Sequence, residues 1–121
     1  MLKQILRITV LATVFSLPAY AQEDTDSGNY IVESCNPNHD ASNVEINDKW
    51  FICAGAVNTA VFLMAAHHDA CVPEKVTLEQ EMRVVYKTME EEPDQLHINY
   101  VILIAAALQK AWPCKSMLPK Q

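Results

Sequence analysis

Glycine is scarce in this sequence, with only Gly28 and Gly55 among its 121 residues. Phosphate-binding loops and the nucleophile elbow of hydrolases need glycines at fixed spacings, and neither pattern occurs. The HExxH motif of zinc proteases and paired CxxC cysteines are absent as well. The sequence therefore contains no recognisable catalytic motif, and we expect a protein that is not an enzyme and that uses no cofactor or metal.

Basic residues are few and scattered, with 9 Lys and Arg against 15 Asp and Glu and a net charge of −6. Nucleic-acid binding needs clustered Lys and Arg to neutralise phosphates, so we expect no nucleic-acid partner. The charge cluster that does occur is acidic and consists of Glu90, Glu91, Glu92 and Asp94. Such a cluster suits a basic protein surface, although a charge run at a helix end is also typical of solvated surface.

The first 21 residues have the features of a secretory signal peptide. Lys3 and Arg7 precede an apolar run over residues 8–17, and a small-residue pattern follows at residues 19–21. The run is shorter than the roughly 20 residues of a membrane span, which disfavours an N-terminal anchor. We therefore expect cleavage, export to the periplasm and a single domain over residues 22–121 without membrane attachment.

All four cysteines lie in the exported part, at Cys35, Cys53, Cys71 and Cys114. An even number in a short secreted chain favours two disulfides, because the exported compartment oxidises thiols. The alternative is a metal site formed by His67, His68, Asp69 and Cys71. The two histidines are more typical of a solvated helix end, so we favour the disulfides.

Hydrophobic periodicity predicts one short helix and three longer helices, over residues 29–35, 49–68, 78–89 and 94–111. The longest is uncharged from Trp50 to Ala66 and apolar on every side, which predicts a central helix surrounded by the others. Asn47 and Asp48 precede it as candidate N-caps, and residues 39–46 are predicted to form a loop. Its length touches the lower limit for a bilayer span, but Gly55 and other weakly apolar residues disfavour that alternative.

The third helix has the clearest boundaries. Thr77, followed three residues later by Gln80, predicts a capping box at its start. Leu78, Met82, Val85 and Met89 form a single apolar stripe. No strand pattern competes well with these helices. Residues 101–104 could form a buried strand, but the alanine-rich segment that follows them favours helix. The predicted fold is therefore an all-α, small antiparallel bundle with two disulfides.

An antiparallel bundle restricts which cysteines can pair. Cys53 and Cys71 lie roughly 25 Å apart along the central helix, which exceeds the ~7 Å limit between bridged Cα atoms. The up-and-down order of the helices brings Cys71 and Cys114 to one end and Cys35 and Cys53 to the other. We therefore predict the disulfides Cys35–Cys53 and Cys71–Cys114.

The central and fourth helices carry more apolar surface than a bundle of this size covers. A symmetric homodimer is the simplest arrangement that buries the excess, and we predict one. The alternative is a monomer with alanine-rich exposed faces.

Several short motifs resemble those of one family. They are CAG at residues 53–55, CVP at 71–73, a Val-Val-Tyr helix, Pro93 and ALQKAWPC at 107–114. In this order they are similar to the Rap/Tai family of type VI secretion immunity proteins, over residues 30–114. The resemblance implies a periplasmic α-helical protein with disulfides that binds and blocks a peptidoglycan-cleaving effector, in some members as a dimer.

An immunity protein needs a protruding surface that enters the cleft of a cell-wall hydrolase and excludes its substrate. The segment over residues 89–96 is polar and anionic, so Glu90, Glu91, Glu92 and Asp94 are the predicted partner-binding residues. The alternative function is a periplasmic stress-related binding protein or chaperone without a toxin partner. An acidic chain with excess apolar surface suits a helical protein that exposes this surface when protonated.

Overall fold

The computed structural model describes residues 23–115, so the predicted signal peptide lies outside the described residues. These residues form α1 (Gly28–Ile31) followed by a 3-10 turn (Val32–Cys35), α2 (Val44–His67), α3 (Leu78–Glu91), a second 3-10 turn (Pro93–Gln95) and α4 (Tyr100–Ala111). This part of the chain contains no strand, and its β-pairing is one isolated bridge between Ser27 and Asn99. The predicted all-α fold of one short and three longer helices is confirmed.

Helix α2 begins at Val44, five residues before the predicted start at Lys49. Asn43 is its N-cap, because the Asn43 side-chain oxygen accepts a hydrogen bond from the Ile46 backbone N–H at 3.2 Å. The predicted caps at Asn47 and Asp48 are therefore wrong, and the predicted loop ends at Asn43 instead of Ile46.

Helix α3 matches its sequence pattern closely. The Thr77 side chain accepts from the Gln80 backbone N–H, and the Gln80 side chain accepts from the Thr77 backbone N–H, which completes the predicted capping box. The helix extends to Glu91, two residues beyond the predicted end at Met89. Met82, Val85 and Met89 are buried, so the predicted stripe faces the core.

Helix α4 begins at Tyr100 instead of the predicted residue 94. The backbone before it pairs with the N-terminal segment instead of with its own helix, since Gly28 N–H donates to the Ile98 carbonyl at 2.9 Å and Tyr100 N–H donates to the Asp26 carbonyl at 2.8 Å. Asn99 then caps α4 by accepting from the Val101 backbone N–H at 2.9 Å. These long-range bonds have no local sequence signal, which is why periodicity placed the start too early.

The core lies on one side of α2. This helix buries Cys53, Ala54, Val57 and Ala60 against α1, α3 and α4. The prediction that α2 is surrounded is wrong, because the other helices cover only this stripe and leave Phe51 and Phe62 63% and 73% exposed. By length and composition α2 is the one helix of the described residues that can cross a bilayer, a test that core helices also pass.

Both predicted disulfides form. Cys35 and Cys53 have Cα atoms 5.5 Å apart, and Cys71 and Cys114 have Cα atoms 4.9 Å apart. The first joins the turn after α1 to α2, and the second joins the two chain segments that follow α2 and α4. In the chain-entropy model each closure stabilises the fold by about 3–4 kcal/mol, since the bridged residues are 18 and 43 positions apart.

Candidate partner-binding surface

The predicted partner-binding residues lie together at the end of α3 and in the 3-10 turn that follows. Glu90, Glu91 and Asp94 are exposed, and Glu92 is half-buried. In the turn, Gln95 N–H donates to the Glu92 carbonyl at 3.0 Å, and Pro93 restricts the backbone at the first position. The sequence cluster is thus a cluster in space.

Two of these four carboxylates have basic partners. Glu91 lies 3.7 Å from the Lys87 ammonium group, and Glu92 lies 3.3 Å from that of Lys110. Exposed pairs of this kind contribute about 0–1 kcal/mol to stability, but each lysine offsets one negative charge of the surface. Glu90 and Asp94 form no ion pair with another described residue, so the field of the turn arises mainly from these two carboxylates.

Tyr86, which was not among the predicted site residues, forms a hydrogen bond with Glu90. The Tyr86 hydroxyl donates to Glu90 Oε1 at 2.6 Å and accepts a hydrogen bond from the Asn36 side chain at 3.4 Å. The hydrogen bond to Glu90, together with burial and the charge of Glu33, raises the pKa of Tyr86 to about 12. The hydroxyl therefore stays protonated and keeps donating. The i,i+4 spacing of Tyr86 and Glu90 is the sequence signal that predicts this contact.

The charge of Glu33 extends the anionic region to the 3-10 turn after α1. Glu33 is exposed and lies in a turn that packs against α3, and its charge acts on Tyr86, the hydrogen-bond partner of Glu90. We call the combined region, formed by Glu33, Glu90, Glu91, Glu92 and Asp94, the acidic surface. It presents oriented carboxylates and no nucleophile, so its chemistry suits recognition of a cationic protein surface.

The candidate metal residues do not converge on a site. His67 ends α2, and His68 follows it in the left-handed conformation at φ 58°. Cys71 is bonded to Cys114. Within residues 23–115, no group of three or more His, Cys, Asp or Glu side chains is placed to hold a metal ion. His67, His68, Asp69 and Cys71 therefore do not form a common metal site in the structure.

A second, uncharged surface lies on the outer side of α2 and reaches α4. It consists of Phe51, Ile52, Gly55, Thr59, Phe62, Leu63 and Val101, which we call the apolar face. Two adjoining shallow grooves run over it, and Thr59 lines both of them. The sequence predicted excess apolar surface on these two helices, and this is where it lies.

A sequence model of the family described as Rap1a immunity proteins matches residues 27–114. This chain belongs to that family. The match confirms the resemblance to Rap/Tai immunity proteins that the CAG, CVP and ALQKAWPC motifs carry. No curated protein and no solved structure matches the chain.

The Rap1a match spans both disulfides, the acidic surface and the apolar face. Membership of an immunity family implies a protein effector as binding partner. The two disulfides fit an oxidising compartment, since thiols in reducing compartments stay unpaired. These features describe a small, covalently braced binding protein.

Proposed function

We propose that this Rap1a-family protein is a periplasmic immunity protein. It binds a peptidoglycan-degrading effector delivered by type VI secretion and occludes the effector's active site. The observation that carries the proposal is the family match over residues 27–114. The signal-peptide pattern at the N-terminus and the two disulfides support export, and residues 22–121 form the single working domain.

The proposed mechanism is steric and stoichiometric, without turnover by this chain. The acidic surface docks on basic residues at the rim of the hydrolase cleft, and the turn at Pro93 fills the space that a glycan or peptide strand otherwise occupies. Glu90 and Asp94 contribute most, since Lys87 and Lys110 offset the other two charges. Because complementary charge mainly accelerates encounter, association should slow as salt rises.

The working unit in this proposal is a symmetric homodimer. The exposed apolar residues of α2 and α4 support it, because contiguous apolar surface of this kind marks interaction sites. A dimer presents two acidic surfaces and so binds two effector molecules.

Affinity capture tests the proposal. The tagged, oxidised protein is incubated with lysate of the native bacterium, and captured proteins are identified by mass spectrometry. Capture of one cell-wall hydrolase at one molecule per chain is the expected result. Charge reversal at Glu90, Glu91, Glu92 and Asp94 should then weaken its affinity. Unchanged affinity would show that the acidic surface is not the binding site. Capture of no hydrolase would contradict the immunity function.

The second candidate function is a periplasmic stress-related binding protein or chaperone. The exposure of Phe51 and Phe62 favours it, since chaperones bind clients through accessible apolar surface. This function predicts loss of the fixed fold and binding of an apolar dye near pH 3, together with capture of many unrelated clients. An immunity protein with two disulfides should instead remain folded near pH 3 and should capture one partner.

A further inference from the structure

A groove separate from the apolar face lies between α2, α3 and the loop that precedes α2. It has a volume of about 460 Å³ and is lined by Pro37, His39, Trp50, Leu78, Glu79 and Met82. We call it the α2–α3 groove. Most of its lining is apolar, and its volume lies toward the small end of the roughly 300–1,000 Å³ that is typical of ligand pockets. The steric mechanism proposed above does not use it.

His39 orders the wall that the loop contributes to this groove. Its ring stacks on Trp50 with the centroids 5.9 Å apart, and its Nδ1 lies 3.1 Å from the Asn36 carbonyl oxygen. Because a carbonyl oxygen only accepts, Nδ1 carries the proton, and Nε2 of the neutral ring is an acceptor. Nε2 is shielded from solvent and has no hydrogen-bond partner within residues 23–115. Buried polar atoms are rarely left unpaired, so this nitrogen is available to a donor on an occupant that turns the half-buried ring.

The α2–α3 groove lies on the same side of α3 as the acidic surface. At 100° per residue, Glu79, Tyr86 and Glu90 fall within about 40° of one another around the helix axis. Asn36 joins the two regions, because its side chain donates to the Tyr86 hydroxyl and its carbonyl oxygen accepts from His39 Nδ1. At 1.5 Å per residue, Glu79 and Glu90 are roughly 16 Å apart along α3. One partner can therefore occupy both regions at once.

Charge determines the chemistry of the occupant. Among the lining residues the charged side chain is Glu79, whose carboxylate is paired with Arg83 at 2.7 Å. The carboxylate of Glu90 accepts a hydrogen bond from Tyr86 and has no cationic partner within the described residues. The chain as a whole has a net charge of −6, so an anionic ligand is repelled. An aromatic group that lies near a cation fits both the apolar lining and the charge beside it.

We propose that the α2–α3 groove receives an aromatic side chain of a protein partner, a basic residue of which binds Glu90. The inference rests on the proposed function, in which that partner is the effector, and it adds a second contact to that complex. Complementary charge mainly accelerates association, whereas a desolvated aromatic anchor slows dissociation. The groove therefore supplies affinity that the acidic surface alone lacks.

Small probes test the groove without any effector. Phenethylamine carries an aromatic ring with a cation, and phenylpropionate carries the same ring with an anion. In nuclear magnetic resonance spectra of the purified, oxidised and isotope-labelled protein, phenethylamine should shift the indole N–H signal of Trp50 and the amide signals of His39 and Leu78. Phenylpropionate should shift them much less. Equal shifts by both probes, no shifts, or shifts confined to the acidic surface would overturn the proposal.

Variants that add a ring provide the matched comparison. Glu79→Phe fills the groove with a side chain of the protein itself, so phenethylamine should no longer shift the Trp50 signal. Gln109→Phe adds the same ring at an exposed position of α4 and should leave the shifts as in wild type. Both variants should unfold at nearly the wild-type temperature, because exposed helix positions tolerate substitution. A folded Glu79→Phe variant that still binds the probe at Trp50 would overturn the proposal.

The captured hydrolase separates this contact from the immunity function. Glu79→Phe should weaken hydrolase binding by roughly tenfold or more, mainly through faster dissociation, and Gln109→Phe should not. Glu79→Gln removes the same charge without adding bulk, so it should weaken binding less than Glu79→Phe does. Wild-type affinity in Glu79→Phe would overturn this contact and leave the immunity function in place. A groove that binds phenethylamine while no hydrolase is captured would contradict the immunity function and support the chemistry of the groove.

Discussion

We predict that Glu81 contributes a loss of stability at neutral pH relative to mildly acidic pH. It lies on α3 and is 7% exposed, and its side chain forms no hydrogen bond or ion pair with another described residue. Burial raises the pKa of the Glu81 carboxyl above its ordinary value of 4.5, because the charged form loses hydration. The unfolded chain therefore releases this proton at a lower pH than the folded chain does.

The sign of the pH dependence follows from this difference. Below its ordinary pKa the Glu81 carboxyl is protonated in both the folded and the unfolded state, so folding buries no charge at this position. As pH rises between the unfolded and folded pKa values, the folded state holds more protons, so its free energy of unfolding falls. Above the pKa of Glu81 in the folded state, the carboxylate is charged in both states, and the free-energy cost of burying it no longer changes with pH.

Glu81→Gln removes the charge and retains the size and the polar head. Because a neutral amide loses less hydration on burial than a carboxylate does, we expect a gain of about 1 kcal/mol at pH 7. That gain corresponds to a rise in melting temperature of about 4–8 °C for a domain of this size. At about pH 4 the gain should largely disappear, because Glu81 is then protonated in both states.

Thermal unfolding of the oxidised protein, followed by circular dichroism across this pH range, measures the effect. The matched control is Glu74→Gln, since Glu74 is exposed and its substitution should change stability by less than ~0.5 kcal/mol. A Glu81→Gln variant that is no more stable than wild type at pH 7, or equally stabilised at both pH values, would refute this reasoning.

Three further predictions test the fold and the acidic surface. Gly28→Ala should lower the free energy of unfolding by about 1–3 kcal/mol, because the new Cβ lies 2.6 Å from Leu103 Cδ1 and 3.1 Å from the Leu96 carbonyl oxygen; an unchanged urea midpoint would contradict this. The double variant Cys35→Ala/Cys53→Ala should lose about 3 kcal/mol, measured in the same titration. Glu90→Gln should slow association with the captured hydrolase more than Glu91→Gln does, because Lys87 already offsets the charge of Glu91, and equal rates in surface plasmon resonance would contradict the assignment of charge.

The sequence predicted those features of the fold that have local causes. The capping box at Thr77, the stripe on α3 and the breaks at the prolines each depend on residues within one or two helical turns. The disulfide pairing was also predictable, because helix lengths and antiparallel order determine which cysteines meet. The start of α4 was not, since it depends on hydrogen bonds to Asp26 and Gly28, which lie about seventy positions earlier.

The exposure of α2 is the second feature that could not be predicted from the sequence. An uncharged helix predicts burial whether another helix of the same chain or another molecule covers it, and periodicity does not distinguish the two. The acidic cluster was visible in the sequence. Of its two ion pairs, only the one with Lys87 could have been predicted from sequence spacing. Lys87 is four residues from Glu91, whereas Lys110 reaches Glu92 only through the packing of α3 on α4.

The most direct test of the immunity function is a titration of peptidoglycan hydrolysis. The hydrolase captured from the native bacterium is mixed with increasing amounts of the purified, oxidised protein, and the release of soluble wall fragments is followed. The proposal predicts a linear fall in rate to zero at one chain per enzyme molecule. Full hydrolase activity in the presence of excess folded protein would contradict it.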